Sequence, residues 1–97
     1  MNEAKLRGLM GLCVRAGQAV FGEDGCTKSL RGGQCGALLL DGEASEATRE
    51  KYQALCERNA VPFIRLPEGM LEMATGRPGV AMAVRKGNLA EQILGCL

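Results

Sequence analysis

Two short runs, GALLL at 36–40 and GVAMAV at 79–84, contain no charged or strongly polar residue. A strand with one wet face alternates polar and apolar side chains, because successive side chains point to opposite faces. These runs do not alternate, so each reads as a strand covered on both sides, and helices are the usual cover. The rest of the chain supplies them. Residues 3–16 place Leu6, Leu9, Met10 and Cys13 on one helical face, with Asn2 to cap the start and Gly17 to end it. QAVF (18–21) is a short strand, and a second helix opens near Gly22 and runs to about Arg31, stopped by Gly32 and Gly33. SEATREKYQALCERN (45–59) is a helix capped by Ser45, with Glu46 in its first turn and Asn59 closing it before Pro62. PFIRL (62–66) is a strand, and PEGMLEMATG (67–76) a short helix opened by Pro67. Asn88 and Glu91 give a capping-box-like start to a last helix through Ile93 and Leu94. The order α-β-α-β-α-β-α-β-α, with no linker or repeat, specifies one domain over 1–97. It is an α/β chain, a three-layer α/β/α sandwich with a four-stranded mixed sheet and helices on both faces.

Only 3% of the chain is aromatic while 46% is apolar, so the core is built from Leu, Val, Ile, Met and Ala. Five cysteines at 13, 26, 35, 56 and 96 form an odd set with no C-x-x-C pair, and four sit beside core-like residues. They read as reduced, mostly buried thiols of a cytoplasmic protein. No histidine exists to activate a cysteine or complete an ordinary zinc site, and no metal or cofactor is expected. There is no 18-residue apolar run, and MNEAKLRG lacks the pattern of a signal peptide. Net charge is +1, but it is uneven. Residues 1–35 carry five basic and three acidic groups, 36–75 four and seven, and 76–97 three and one. Two mildly basic segments flank an acidic middle, which permits a basic face if the chain ends lie together.

FGEDGCTKS (21–29) has Gly22, Lys28 and Ser29 in register with a Walker phosphate loop, followed by ALLLD (37–41), a strand ending in aspartate. Three features oppose that reading. The β-branched Thr27 stands where the second obligatory glycine belongs, and such residues resist the required backbone. Glu23 and Asp24 would put two negative charges into a cradle for a triphosphate. The domain is also short for a nucleotide pocket with switch elements. The same stretch read as a helix start has acidic residues facing the positive end of the dipole, a lysine one to two turns in, and Arg31 nearby. Such an end can meet a phosphate backbone without enclosing a nucleotide.

LRGLMGLCVRAGQAVFGED (6–24), ALLLDGEAS (37–45), LCERNAVPFIRLP (55–67) and MLEMATGRPGVAMAV (70–84) together resemble the kink-turn RNA-binding ribosomal-protein superfamily. Its large-subunit members are the proteins L-seven-Ae and L-thirty-e, and the R-A-G-x-x-x-x-G-E-D start is most similar to its short bacterial YlxQ-like branch. The resemblance implies an α/β/α fold and RNA binding without catalysis. Family members that grip kink-turns begin the second helix G-x-N-E-x-x-K, where Asn and Glu read sheared G·A pairs and Lys contacts the strand. Here that window is Gly22-Glu23-Asp24-Gly25-Cys26-Thr27-Lys28. Gly22, Thr27 and Lys28 match. Asp24 keeps an acceptor but loses the amide's donors and adds a charge, and Gly25 has no base-reading group. A base contact is worth roughly 1–3 kcal/mol in DNA systems, so its loss weakens kink-turn affinity by about one to two decades.

The family's second contact is an apolar loop that packs on an extruded base, and the resemblance puts it at Leu66, Pro67, Glu68 and Gly69. The L-G-x-A-x-G that follows it in the family appears as Leu71-Glu72-Met73-Ala74-Thr75-Gly76, with one glycine missing. The candidate RNA-binding residues are therefore Gly22, Glu23, Asp24, Gly25, Lys28, Arg31, Leu66, Pro67 and Glu68. Arg15 is either structural or a phosphate contact, and Arg85 and Lys86 either join the same edge or sit in a solvated turn. The leading expectation is a monomeric, cytoplasmic, non-catalytic protein that binds structured RNA, ribosomal or kink-turn-like, near the translation machinery. The alternative is a protein-binding adaptor that kept the fold and lost kink-turn readout.

Overall fold

The two apolar runs are the two central strands. The computed structural model describes residues 1–97, and its elements follow the predicted order: α1 Glu3–Arg15, β1 Ala19–Phe21, α2 Glu23–Arg31, β2 Cys35–Leu40, α3 Glu46–Asn59, β3 Phe63–Arg65, α4 Met70–Thr75, β4 Ala81–Arg85 and α5 Asn88–Leu94. The sheet order is β1-β4-β2-β3. β4 runs antiparallel to both β1 and β2, and β2 runs parallel to β3, so the sheet is mixed. Along β2, Ala37 and Leu39 face a core shared with α1, α4 and α5, while Leu38 and Leu40 face one shared with α2 and α3. Both layers bury leucines completely, and each such side chain contributes about 1.5–3 kcal/mol. No helix is long and apolar enough to cross a membrane.

Helix ends show where local sequence decides and where it does not. Asn2 caps α1 by accepting from Lys5 N, and Ser45 caps α3 by accepting from Thr48 N, both as predicted. α3 ends at Asn59, as the sequence suggests. The left-handed residue is Ala60, at φ 55°, and a Schellman motif forms as Val61 N donates to Cys56 O and Ala60 N to Glu57 O. Pro67 does not open α4. The helix begins at Met70, behind a turn, and its cap comes from another element: Asp41 accepts from Leu71 N at 2.9 Å, Gly69 N at 2.9 Å and Glu43 N at 3.0 Å. The predicted capping box of α5 does not form either, because Gly87 is the cap and Asn88 already lies inside the helix.

The C-terminal ends of β1, β2 and β3 share one end of the sheet with the N-terminus of β4. The α2 start, the 41–45 turn, the 66–69 loop and the 76–80 segment therefore gather there. β1 and β3 are the two edge strands, so the α2 start and the 66–69 loop lie three strand spacings apart, roughly 14 Å.

Candidate nucleic-acid interface

α2 begins at Gly22, whose φ of 85° and ψ of 156° lie in a region that L side chains avoid. No side chain caps the helix, in contrast to α1 and α3. Its first amide groups therefore point outward unpaired. FGEDGCTKS is accordingly no loop: Thr27, Lys28 and Ser29 lie inside a helix, and Ser29 is buried. ALLLD ends in a carboxylate occupied by backbone amides. Burial pushes the Asp41 carboxyl up, but the N–H groups of Leu71, Gly69, Glu43 and Met70 outweigh it, and its pKa is lowered overall.

A shallow groove with no hydrophobic residue in its lining runs along α2, formed by Glu23, Asp24, Gly25, Thr27, Lys28, Arg31, Gly32 and Lys51. Five of the predicted residues thus share one surface. Lys51, from α3, was not among them. Its signal lay in tertiary packing, since it pairs with Glu23 twenty-eight positions earlier. That pairing removes one of the two carboxylates that would repel a phosphate, leaving Asp24 against Lys28 and Arg31. Beneath the groove, burial first, and then Cys26 and Glu23, pushes the Tyr52 hydroxyl up to about 12, so it stays neutral.

Gly25 is held by its neighbour. A Cβ at this position would lie 2.8 Å from Val20 Cγ1, so α2 approaches β1 more closely than a side chain at 25 allows. A second missed residue, Arg77, lies over the Phe21 ring with its guanidinium carbon 4.5 Å from the centroid. It sits at the end of β1 beside the α2 start and, being exposed, presents a planar fork of donors.

The second predicted surface is only partly as expected. Leu66 is a core residue, 3% exposed, and its N–H pairs with Leu40 O, so its side chain offers nothing to a ligand. Pro67 and Glu68 are exposed. The loop is seated by a close backbone approach: a Cβ on Gly42 would lie 2.8 Å from Glu68 N. Beside it, Met73 is 79% exposed, the most exposed large apolar side chain of the chain. Arg85 and Lys86 do not join this edge. β4 runs antiparallel to β1 and β2, which carries its last residues to the opposite end of the sheet.

No protein-family model matches the chain, and no curated protein does. Solved structures do. A protein of unknown function from Bacillus halodurans superposes with a TM-score of 0.90 at 26% identity, covering 96% of each chain. A 15.5kD RNA-binding protein of Giardia lamblia superposes with a TM-score of 0.76 at 16% identity, over 95% of this chain and 83% of that one. An archaeal translation termination factor, aRF1, gives 0.64 at 19% identity, over 80% of this chain but 23% of its own length. The chain therefore has the fold of the first two proteins and of a part of the third, and the second is an RNA-binding protein.

Proposed function

We propose that this protein binds structured RNA without catalysis, as a small partner of ribosomal RNA or the translation machinery on the pattern of the YlxQ-like branch. One observation carries the reading. The α2 start opens at a glycine with no side-chain cap, and Lys28, Arg31 and Lys51 line the groove that runs along the helix from it, while Arg77 packs on Phe21 at the end of the preceding strand. Backbone N–H groups and arginine forks are the groups that hold phosphate oxygens. The fold shared with an RNA-binding protein points the same way.

The readout differs from that of a kink-turn reader. Asp24 and Gly25 hold no amide or carboxylate pair for sheared G·A bases, so contacts to the backbone dominate. The test is to titrate the protein into a standard kink-turn RNA and into an unbent duplex of equal length, at two salt concentrations. Both should bind with affinities within about tenfold, falling steeply with salt, as phosphate-dominated binding does. Lys28→Ala should weaken both RNAs alike and lower the salt slope by about 1. Absence of binding at low salt would sink the proposal and leave the adaptor reading.

A further inference from the structure

Acidic residues are scarce at one end of the sheet. Residues 4–22, 25–40 and 73–90 contain no Asp or Glu. Folding brings the turns at the far side of these segments together, at the end opposite the α2 start. There Arg85 N donates to Gln18 O at 2.9 Å, tying β4 to the turn that follows Arg15. Lys86 N donates to Gln34 O at 3.0 Å, tying it to the turn that follows Arg31. Arg15, Arg31, Arg85 and Lys86 are all exposed, and none pairs with a carboxylate. The acidic side chains in their neighbourhood are Glu57 near the end of α3 and Glu91 one turn into α5. The α2-start end carries instead Glu23, Asp24, Glu43, Glu68 and Glu72.

We infer that this basic end is a second RNA-backbone contact, formed by Arg15, Arg31, Arg85 and Lys86, roughly 13 Å from the α2 start along the strands. Three of the four cations are arginines, whose planar forks match phosphate oxygens two at a time. The turns between them are rich in exposed glycine, Gly17, Gly32, Gly33 and Gly87, and the longer side chains there, Gln18 and Gln34, are polar, so little bulk keeps a backbone at a distance. None of the exposed large apolar residues, Met1, Leu12, Met73 and Leu97, lies in these turns, so the surface lacks the apolar wedge of a membrane-inserting face. Arg31 also lines the α2 groove, and this makes the two contacts continuous along one flank of the molecule. The nature of the polyanion rests on the RNA-binding reading above, whereas Arg15, Arg85 and Lys86 lie outside the α2 groove.

Salt slopes distinguish the two. The parent protein, Lys28→Ala, and the double variant Arg85→Ala/Lys86→Ala are titrated into one structured ribosomal RNA fragment at four salt concentrations. Both replaced residues of the double variant are exposed and tied by backbone groups, which alanine retains; a matching thermal midpoint checks this. The double variant should lose about 2 from the slope, against about 1 for Lys28→Ala. An unchanged slope in the double variant assigns the basic end to solvent or to a non-nucleic partner and overturns the inference, while a lowered slope in Lys28→Ala preserves the first site. The converse pattern removes the α2-start site and keeps this one. A parent that binds no RNA overturns both.

Discussion

A few side chains carry consequences out of proportion to their size. Asp41 holds the 41–43 turn and the start of α4 with one carboxylate, and its pKa is lowered because three backbone amides bind the charged form better than burial disfavours it. A carboxylate with a depressed native pKa stabilises the fold fully above its unfolded value of about 4, and that contribution is lost as pH falls through the native value. Asp41→Asn turns an amide NH2 toward backbone donors, which should cost about 1–3 kcal/mol in urea unfolding at pH 7. The gap between parent and variant should narrow below pH 4; a gap independent of pH would show that the charge is not what holds the turn. Gly25 makes the opposite case to the usual rule. Glycine inside a helix ordinarily gains about 1 kcal/mol on change to alanine. Here the new Cβ meets Val20, and overpacking costs about 1–3 kcal/mol, so Gly25→Ala should destabilise. In a Val20→Ala background the same substitution should become neutral or stabilising. The sign change, read from thermal midpoints, also says that any side chain at 25 requires a smaller residue at 20.

At the scale of elements, what the sequence shows depends on how local the cause is. The caps of α1 and α3 are legible because Asn2 and Ser45 bond amides three residues away. The cap of α4 is not, because its donor of order, Asp41, is some thirty residues distant and sits behind a strand. A proline at the first turn of a helix is a sound local rule, and it loses here to a turn seated by the close approach of Gly42. The end of α3 combines both. Asn59 has the chemistry of a helix terminator, yet the left-handed position falls on Ala60, the only non-glycine residue with positive φ. An alanine pays about 1–2 kcal/mol for that conformation, part of which glycine recovers. Ala60→Gly should therefore stabilise the protein by about 0.5–1 kcal/mol, seen as a raised urea midpoint with an unchanged m-value; a lowered midpoint would mean that the entropy of the unfolded glycine outweighs the relief of strain.

For the whole molecule, the three layers were legible because two strands too apolar for water require cover on both sides. The strand order was not, since nothing in the chain says that β4 inserts between β1 and β2. That single topological fact decides which charges meet, and it carries Arg85 and Lys86 away from the α2 start. It also divides the thiols: Cys13 and Cys96 belong to the layer under α1, α4 and α5, and Cys26, Cys35 and Cys56 to the layer under α2 and α3. All five are free and buried, and burial pushes Cys26 up to about 11 and Cys56 up to about 12, so neither ionises near neutral pH. The thiolate is the reactive form, so alkylation of the native protein at pH 7 should await opening of the structure. Because the central strands β2 and β4 contribute side chains to both layers, neither layer can open while the other stays packed. A domain of this size should unfold in one cooperative step. Labelling followed by mass spectrometry across a urea series should therefore show five thiols appearing together at the spectroscopic midpoint. Early release of Cys26, Cys35 and Cys56 alone would instead show that α2 and α3 detach as a unit, and would place the α2 groove on the less stable side of the sheet.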